Sequence, residues 1–122
     1  MTKRFTVAAR ARSFLHAFQG IGTLLRTEHN AWIHAAATVA VTGAGLLVGL
    51  EAVEWGLIVL AIALVFSTEA FNTALEVLAD AVHPDPHPLV GRAKDLAAGA
   101  VLLAAMGAVV IALLVFVPHI RG

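Results

Sequence analysis

The chain has 122 residues, of which 60% are hydrophobic and 13% charged, and its eight basic and eight acidic side chains cancel. A typical soluble domain carries about 25% charged residues, so this composition indicates a membrane protein. The balanced charge gives no general attraction to nucleic acid, and the absence of cysteine excludes disulfides and thiolate chemistry. The length fits one domain, residues 1–122.

The N-terminal region predicts a helix over about residues 5–27 that lies on the membrane surface. Two stripes at helical spacing run along it, an apolar one and a polar one. The apolar stripe comprises Phe14, Phe18, Ile21 and Leu25, and the polar stripe comprises Arg12, His16, Gln19, Thr23 and Arg26. An amphipathic helix of this kind buries its apolar face in the headgroup layer and leaves its polar face in water.

Three apolar segments are long enough to cross a bilayer, over about residues 31–50, 52–82 and 96–117. A span needs roughly 20 residues. The second segment would be about 46 Å long as a helix, against a hydrocarbon core of about 30 Å, so it should project beyond the bilayer. The predicted fold class is therefore an all-α integral membrane protein, with an N-terminal surface helix and three transmembrane helices.

The basic residues predict the orientation of these spans. Lys3 and four arginines precede the first span, and Arg92 and Lys94 lie between the second and the third. The connection between the first two spans holds only Glu51 and Glu54, which we expect to be solvated loop charges. The positive-inside rule then places the N-terminus and the 83–95 loop in the cytoplasm.

A polar ladder occupies the end of the second span. Glu69, Asn72, Glu76 and Asp80 are spaced so that they fall within about 80° of arc on one helix face. An ionised carboxylate in hydrocarbon costs at least about 2.5–3.5 kcal/mol, so the ladder needs a functional or packing reason. Asp80 lies nearest to water, and we expect it to be a solvated charge at the helix end rather than a functional group. Three spans barely shield such a face from lipid, which predicts a homo-oligomer.

The connection after the ladder is rich in proline. His83, Asp85 and His87 alternate with three prolines, which predicts a stiff, extended turn in the cytoplasm. We expect its two histidines to belong to an ordered turn, since nothing requires them to converge on a metal. Asp95 is a candidate N-cap for the third span.

The polar groups near the cytoplasmic boundary suit two kinds of chemistry. The sequence has no G-x-x-x-x-G-K-[ST] phosphate loop and no dinucleotide-binding glycine fingerprint. Hard oxygen ligands suit Mg²⁺ bound with substrate phosphates, a carboxylate can accept a proton, and a lysine can hold phosphate oxygens. These parts suffice for phosphoryl transfer to a membrane alcohol. They fit an ion- or proton-coupled transporter with Glu69 as its carrier site equally well. Neither a transporter nor a non-catalytic scaffold needs the Ala-Lys94-Asp95 block in a short cytoplasmic loop.

The same residues carry a resemblance to a known family. The run Glu69-Ala-Phe-Asn72-Thr-Ala-Leu-Glu76, the following Asp80, and His87-Pro-Leu-Val-Gly-Arg-Ala-Lys94-Asp95 resemble the signature of the prokaryotic diacylglycerol kinase family. Its pattern reads E-x-x-N-[ST]-A-[IL]-E, then D, then H-x-x-x-x-x-A-K-D. The block from Glu28 to His34 also matches, and the resemblance covers about residues 12–120.

The resemblance implies a homotrimer in the bacterial inner (cytoplasmic) membrane, with cytoplasmic active sites between subunits. It implies transfer of the γ-phosphoryl group of Mg²⁺–ATP to a lipid alcohol. Carried over by position, it implies Glu69 as general base, Glu28 and Glu76 as metal ligands, and Glu69, Asn30 and His34 as contacts to the lipid. The implied nucleotide-binding set is His16, Glu28, Asn72, Glu76, Asp85, Pro86, His87, Lys94 and Asp95, with Arg10 a weaker candidate.

Shorter pieces of sequence predict the lipid. Asn30-x-x-Ile33-His34, Glu54-Trp55 and Phe116-x-Pro118-x-Ile120 resemble the branch of the family that acts on undecaprenol. Trp32 departs from that branch, which usually has arginine there. Because the other pieces agree with that branch, we expect undecaprenol as the acceptor, with diacylglycerol as the alternative.

Overall fold

The structure, a computed structural model, describes residues 4–122, so Lys3 lies outside the described part. Four helices follow one another: α1 (Val7–Thr27), α2 (His29–Val48), α3 (Ala52–Val82) and α4 (Pro88–Arg121). The last three are long and apolar enough to cross a membrane. The predicted all-α class and the three candidate spans are confirmed, and α3 begins and ends where the sequence predicts.

A single residue separates α1 from α2. The hydroxyl of Thr6 accepts a hydrogen bond from the Ala9 N–H at 3.1 Å and caps the start of α1. At its other end, Glu28 has an extended backbone (φ −105°, ψ 119°), which stops one helix and begins the next. The half-buried side chain of Glu28 therefore lies at the corner between the two helices.

The turn between α2 and α3 depends on glycine. Gly49 has φ 75°, a left-handed conformation that suits a residue without a side chain. The N–H groups of Gly49 and Leu50 both donate to the carbonyl of Gly45, at 3.0 and 3.3 Å. Leu50 then turns inward and packs with Ile58 and Val115, which form the apolar core at this end of the bundle.

Glu54 is not a solvated loop charge, so this prediction is wrong. It lies in the first turn of α3, where its Oε1 accepts the N–H of Glu51 at 3.0 Å. Its Oε2 lies 2.9 Å from Nε2 of His119, near the end of α4. Glu51, by contrast, is exposed. The Glu54–His119 contact therefore connects the beginning of α3 to the end of α4.

The helix that contains the third candidate span begins at Pro88, before the residue 96 at which the span was expected to start, and the prediction that Asp95 caps this helix is wrong. His87 is the N-cap, and its Nδ1 accepts the Leu89 N–H at 3.1 Å. Proline is favourable in the first turn of a helix, where its missing N–H would have no partner in any case. As a result, Lys94 and Asp95 lie on the second turn of α4, and only residues 83–87 form the connection.

The packing of the helices separates an apolar end from a polar end. The most extensive interhelical contact is between α3 and α4. Apolar packing dominates at the α2–α3 turn, whereas the buried polar residues Glu69 and Asn72 lie toward the other end of α3. Large apolar side chains such as Leu47 and Leu114 are exposed on the outer faces, as expected where the surroundings are lipid.

The close approach at Gly45 gives a test of this packing. A Cβ atom there would lie 2.7 Å from the Trp55 ring and 2.9 Å from Leu50 Cδ1. We expect Gly45→Ala to destabilise the protein by about 1–3 kcal/mol, because the added methyl overpacks the core. The measurement is the midpoint of thermal unfolding in detergent micelles. Gly43→Ala is the matched control, since nothing lies within 4 Å of its Cβ position. Equal midpoints for the two variants would contradict the tight packing at Gly45.

Candidate functional site

The site is organised around Glu69, which is only 1% exposed. Its Oε2 atom is buried and has no hydrogen-bond partner within residues 4–122. The nearest basic group is His34 on α2, whose Nε2 lies 3.6 Å from that oxygen. This distance allows an electrostatic contact but exceeds a hydrogen bond. Glu69, which follows the long apolar run of α3, therefore places inside the bundle a carboxylate oxygen without a hydrogen-bond partner among the described residues.

The pairing of His34 with Glu69 was not predicted from the sequence, which assigned His34 to lipid binding. The ring packs edge to face on Phe66 of α3, with centroids 6.2 Å apart, and the side chain is 20% exposed. The sequence does indicate that His34 and Glu69 each need a polar partner, because ionisable groups within apolar spans are usually paired. Sequence alone does not say which positions of two helices lie opposite each other.

Asn72 and Glu76 continue the same face of α3 toward its end. Asn72 is buried, and its Nδ2 donates to Oε1 of Glu76 at 3.4 Å, a long bond between residues one turn apart. The Oδ1 atom of Asn72 has no partner within the described residues. Thr73 Oγ1 is also buried without a partner there, although the sequence did not single out this residue.

Asp80, the last member of the ladder, contacts α4. Its Oδ1 lies 2.7 Å from Nζ of Lys94, and the two side chains are 65% and 36% exposed. Asp80 is therefore paired rather than only solvated. The early start of α4 makes this possible, because it places Lys94 on a helix alongside α3 instead of in a loop. The pair brings a cation to the polar end of the α3 face.

The other predicted site residues form no hydrogen bond or ion pair with Glu69 within residues 4–122. His16, Asn30, Asp85, Pro86, His87 and Asp95 are exposed, whereas Glu28 is half-buried. His16 Nδ1 lies 3.4 Å from Gln19 Oε1 on the same helix. Arg10 is likewise exposed on α1.

The turn between α3 and α4 is held by its own histidines. His83 Nδ1 lies 2.8 Å from the carbonyl oxygen of Asp85, and His87 Nδ1 accepts the Leu89 N–H. The two rings meet edge to face, with centroids 5.1 Å apart. One nitrogen of each ring is therefore already used in shaping the turn.

The carboxylates fit a metal that arrives with a nucleotide. Within residues 4–122, no three His, Asp or Glu side chains cluster closely enough to hold a metal ion. Glu28 and Glu76 are half-buried, and neither forms a salt bridge there. Mg²⁺ usually binds through one or two carboxylates together with substrate phosphates and water. The donor set suits that mode of binding.

An apolar cavity of about 280 Å³ lies between α2, α3 and α4. His34 and Phe66 line one part of it, and Val41 and Ile58 line another, about two helical turns away. The wall is almost entirely hydrocarbon. Glu69 does not line this cavity, and His34 is the residue that connects the two, since it lines the cavity and lies beside Glu69.

Comparison with known proteins agrees with this arrangement. The prokaryotic diacylglycerol kinase family matches residues 15–116. The undecaprenol kinase of Bacillus subtilis (strain 168) is 46% identical over 109 residues, which cover 89% of each chain. A diacylglycerol kinase of Synechocystis is 43% identical over 100 residues, 81% of this chain and 57% of the relative. The diacylglycerol kinase of Escherichia coli (strain K12) is 31% identical over 111 residues, 85% of this chain and 91% of the relative.

These matches decide between the two functions that the residues left open, in favour of phosphoryl transfer over transport. A family match over most of the chain and a relative of 46% identity both agree with the motifs of α3 and α4. The chain belongs to the prokaryotic diacylglycerol kinase family and is a lipid kinase.

Proposed function

We propose that the protein transfers the γ-phosphoryl group of Mg²⁺–ATP to the hydroxyl group of undecaprenol. The observation that carries this proposal is the Glu69 carboxylate, which is buried in an apolar bundle with one oxygen that has no hydrogen-bond partner among residues 4–122. A buried acceptor of this kind is suited to a hydroxyl group that enters from the bilayer. The name of the Bacillus subtilis relative, undecaprenol kinase, supports the choice of lipid.

In the proposed reaction, Glu69 is the general base. It accepts the hydroxyl proton while the alcohol oxygen forms a bond to the γ-phosphorus, and the bond from that phosphorus to the β–γ bridging oxygen breaks to release ADP. A positioned base contributes typically 10²–10⁴-fold to such a step. Holding the lipid and the nucleotide together removes much of the entropic barrier. We assign Asn30 to the lipid side of the site.

The polar end of α3 and the start of α4 form the proposed nucleotide side. Lys94 would hold phosphate oxygens, since its ammonium group carries a full positive charge. The remaining proposed nucleotide contacts are His16, Glu28, Asn72, Glu76, Asp85, Pro86, His87 and Asp95. Glu28 and Glu76 would hold Mg²⁺, which neutralises charge on the transferring phosphoryl group when it is bound.

The proposed setting is the bacterial cytoplasmic membrane, with the N-terminus and the active site facing the cytoplasm. The distribution of basic residues supports this orientation. We also propose that α1 lies along the membrane surface, which the exposure of Phe14 and Phe18 (68% and 69%) supports. A homotrimer would cover part of the exposed helix faces and complete each site with a neighbouring subunit.

Replacing the base tests the mechanism. We expect Glu69→Gln to lower kcat by about 10²–10⁴-fold, because the amide cannot accept the proton. KM values for ATP and lipid should change little, since the side chain keeps its size. The measurement is transfer of labelled phosphate from Mg²⁺–ATP to lipid in mixed micelles.

The matched control for this variant is Glu51→Gln, the same change at an exposed carboxylate beside the α2–α3 turn. It should retain wild-type turnover. A Glu69→Gln protein that turns over as fast as the wild type would exclude Glu69 as the base, whatever its contribution to folding.

Competition between lipids tests the substrate. With undecaprenol and diacylglycerol offered side by side, we expect undecaprenyl phosphate as the main labelled product. The products separate by chromatography. Phosphatidic acid as the main product would keep the mechanism and overturn the proposed lipid.

The Asp80–Lys94 pair gives a further prediction. We expect Lys94→Gln to lower kcat/KM for ATP by about 10- to 100-fold, the loss typical of one hydrogen bond to a charged group. Asp80→Asn should have a much smaller effect, since an exposed ion pair contributes little. Arg92→Gln, at an exposed cation on the same helix, is the control. Equal losses in the Asp80 and Lys94 variants would show that the pair acts as a unit.

A further inference from the structure

One oxygen of the buried Glu69 carboxylate lacks a hydrogen-bond partner in the described part of the chain. Buried polar groups in proteins are almost always hydrogen-bonded, and a buried charge is paired. Yet Oε2 of Glu69 is inaccessible and has no hydrogen-bond partner within the described residues. Without a hydrogen bond to Oε2, the carboxylate would present no fixed direction to a hydroxyl group.

Two polar side chains near Glu69 are committed to other partners. The Asn72 amide, one turn along α3, donates to Glu76 and not to Glu69, and Lys94 donates to Asp80 at 2.7 Å. The Thr73 hydroxyl, also one turn along α3, is buried and forms no hydrogen bond to Glu69 within the described residues. Within residues 4–122, the salt-bridge partner of Glu69 is His34.

The position of His34 suits a donor to this oxygen. Its Nε2 lies 3.6 Å from Oε2, so a movement of about 0.7 Å gives a hydrogen bond of ordinary length. The ring lies edge to face against Phe66, which limits its rotation. The Thr38 hydroxyl is not a competitor, because it donates to the backbone carbonyl of His34 at 2.7 Å.

We propose that His34 is a positioning residue for the lipid kinase reaction: its Nε2–H donates to Oε2 of Glu69 and aims the other carboxylate oxygen at the acceptor hydroxyl. This inference rests on the proposed role of Glu69 as the base. It gives His34 a role in turnover rather than in lipid affinity. It also explains why a polar ring occupies the wall of an otherwise apolar cavity.

The test uses two amides of different length. The side-chain nitrogen of glutamine can occupy the place of Nε2, whereas that of asparagine corresponds to Nδ1 and falls short of Glu69. We expect His34→Asn and His34→Phe to lower kcat by about 10- to 100-fold, the range for one hydrogen bond to a charged group, with KM for the lipid unchanged. His34→Gln should restore most of the lost turnover. His29→Asn, the same change at an exposed histidine of α2, should behave as the wild type.

A second measurement needs no turnover. The ¹⁵N spectrum of the His34 ring in micelles should show a hydrogen-bonded Nε2–H, and Glu69→Gln should shift that signal. Thermal unfolding of each variant identifies any that do not fold.

Three results would overturn the inference. They are equal turnover of the His34→Asn and His34→Gln variants, a change in KM for the lipid with kcat unaffected, and a ¹⁵N signal of the His34 ring that does not shift in Glu69→Gln. The proposed function is judged separately, on the wild type. A folded wild-type protein that makes no lipid phosphate would overturn that function and this inference with it. An active wild type together with His34 variants of unchanged turnover would overturn the inference alone.

Discussion

Burial of the Glu69 carboxylate is the constraint on which the rest of the structure depends. A charge in a hydrocarbon environment is tolerated only where neighbouring groups compensate it, and here the compensation comes from a second helix. On α2, His34 faces Glu69, with its Nε2 3.6 Å from Oε2, so the two helices lie side by side at this point. The rest of the ladder lies toward the end of α3, where Asp80 is exposed and pairs with Lys94.

The opposite end of the bundle is built for rigidity. Gly49 turns the chain sharply, Leu50 closes the apolar core, and the Glu54–His119 contact connects the start of α3 to the end of α4. None of these groups belongs to the proposed site. A firm apolar end allows the polar end to hold partly unsatisfied groups, because the energy that keeps the helices together is supplied elsewhere.

The sequence predicts single helices well and contacts between helices poorly, and α3 shows both. Its bounds follow from the apolar run of residues 55–66 and the helical spacing of the polar residues that come after it. The 3.6-residue period is sufficient to place Glu69, Asn72 and Glu76 on one face of the helix. The start of α4 is harder to predict, because Pro88 is as typical of a proline-rich loop as of the first turn of a helix. The contacts of His34 and Lys94 depend on the offset between neighbouring helices, which no periodicity within one helix encodes.

The surroundings of Glu69 also bear on which alcohol the site accepts. Diacylglycerol has two ester groups beside its hydroxyl, and each would need a donor if it were buried. Undecaprenol has only hydrocarbon behind its hydroxyl. The cavity next to His34 has an almost wholly apolar wall, and its Thr38 hydroxyl already donates to a backbone carbonyl. A cavity so poor in donors suits the proposed acceptor, because undecaprenol has no ester groups that would need a donor if its chain lay there.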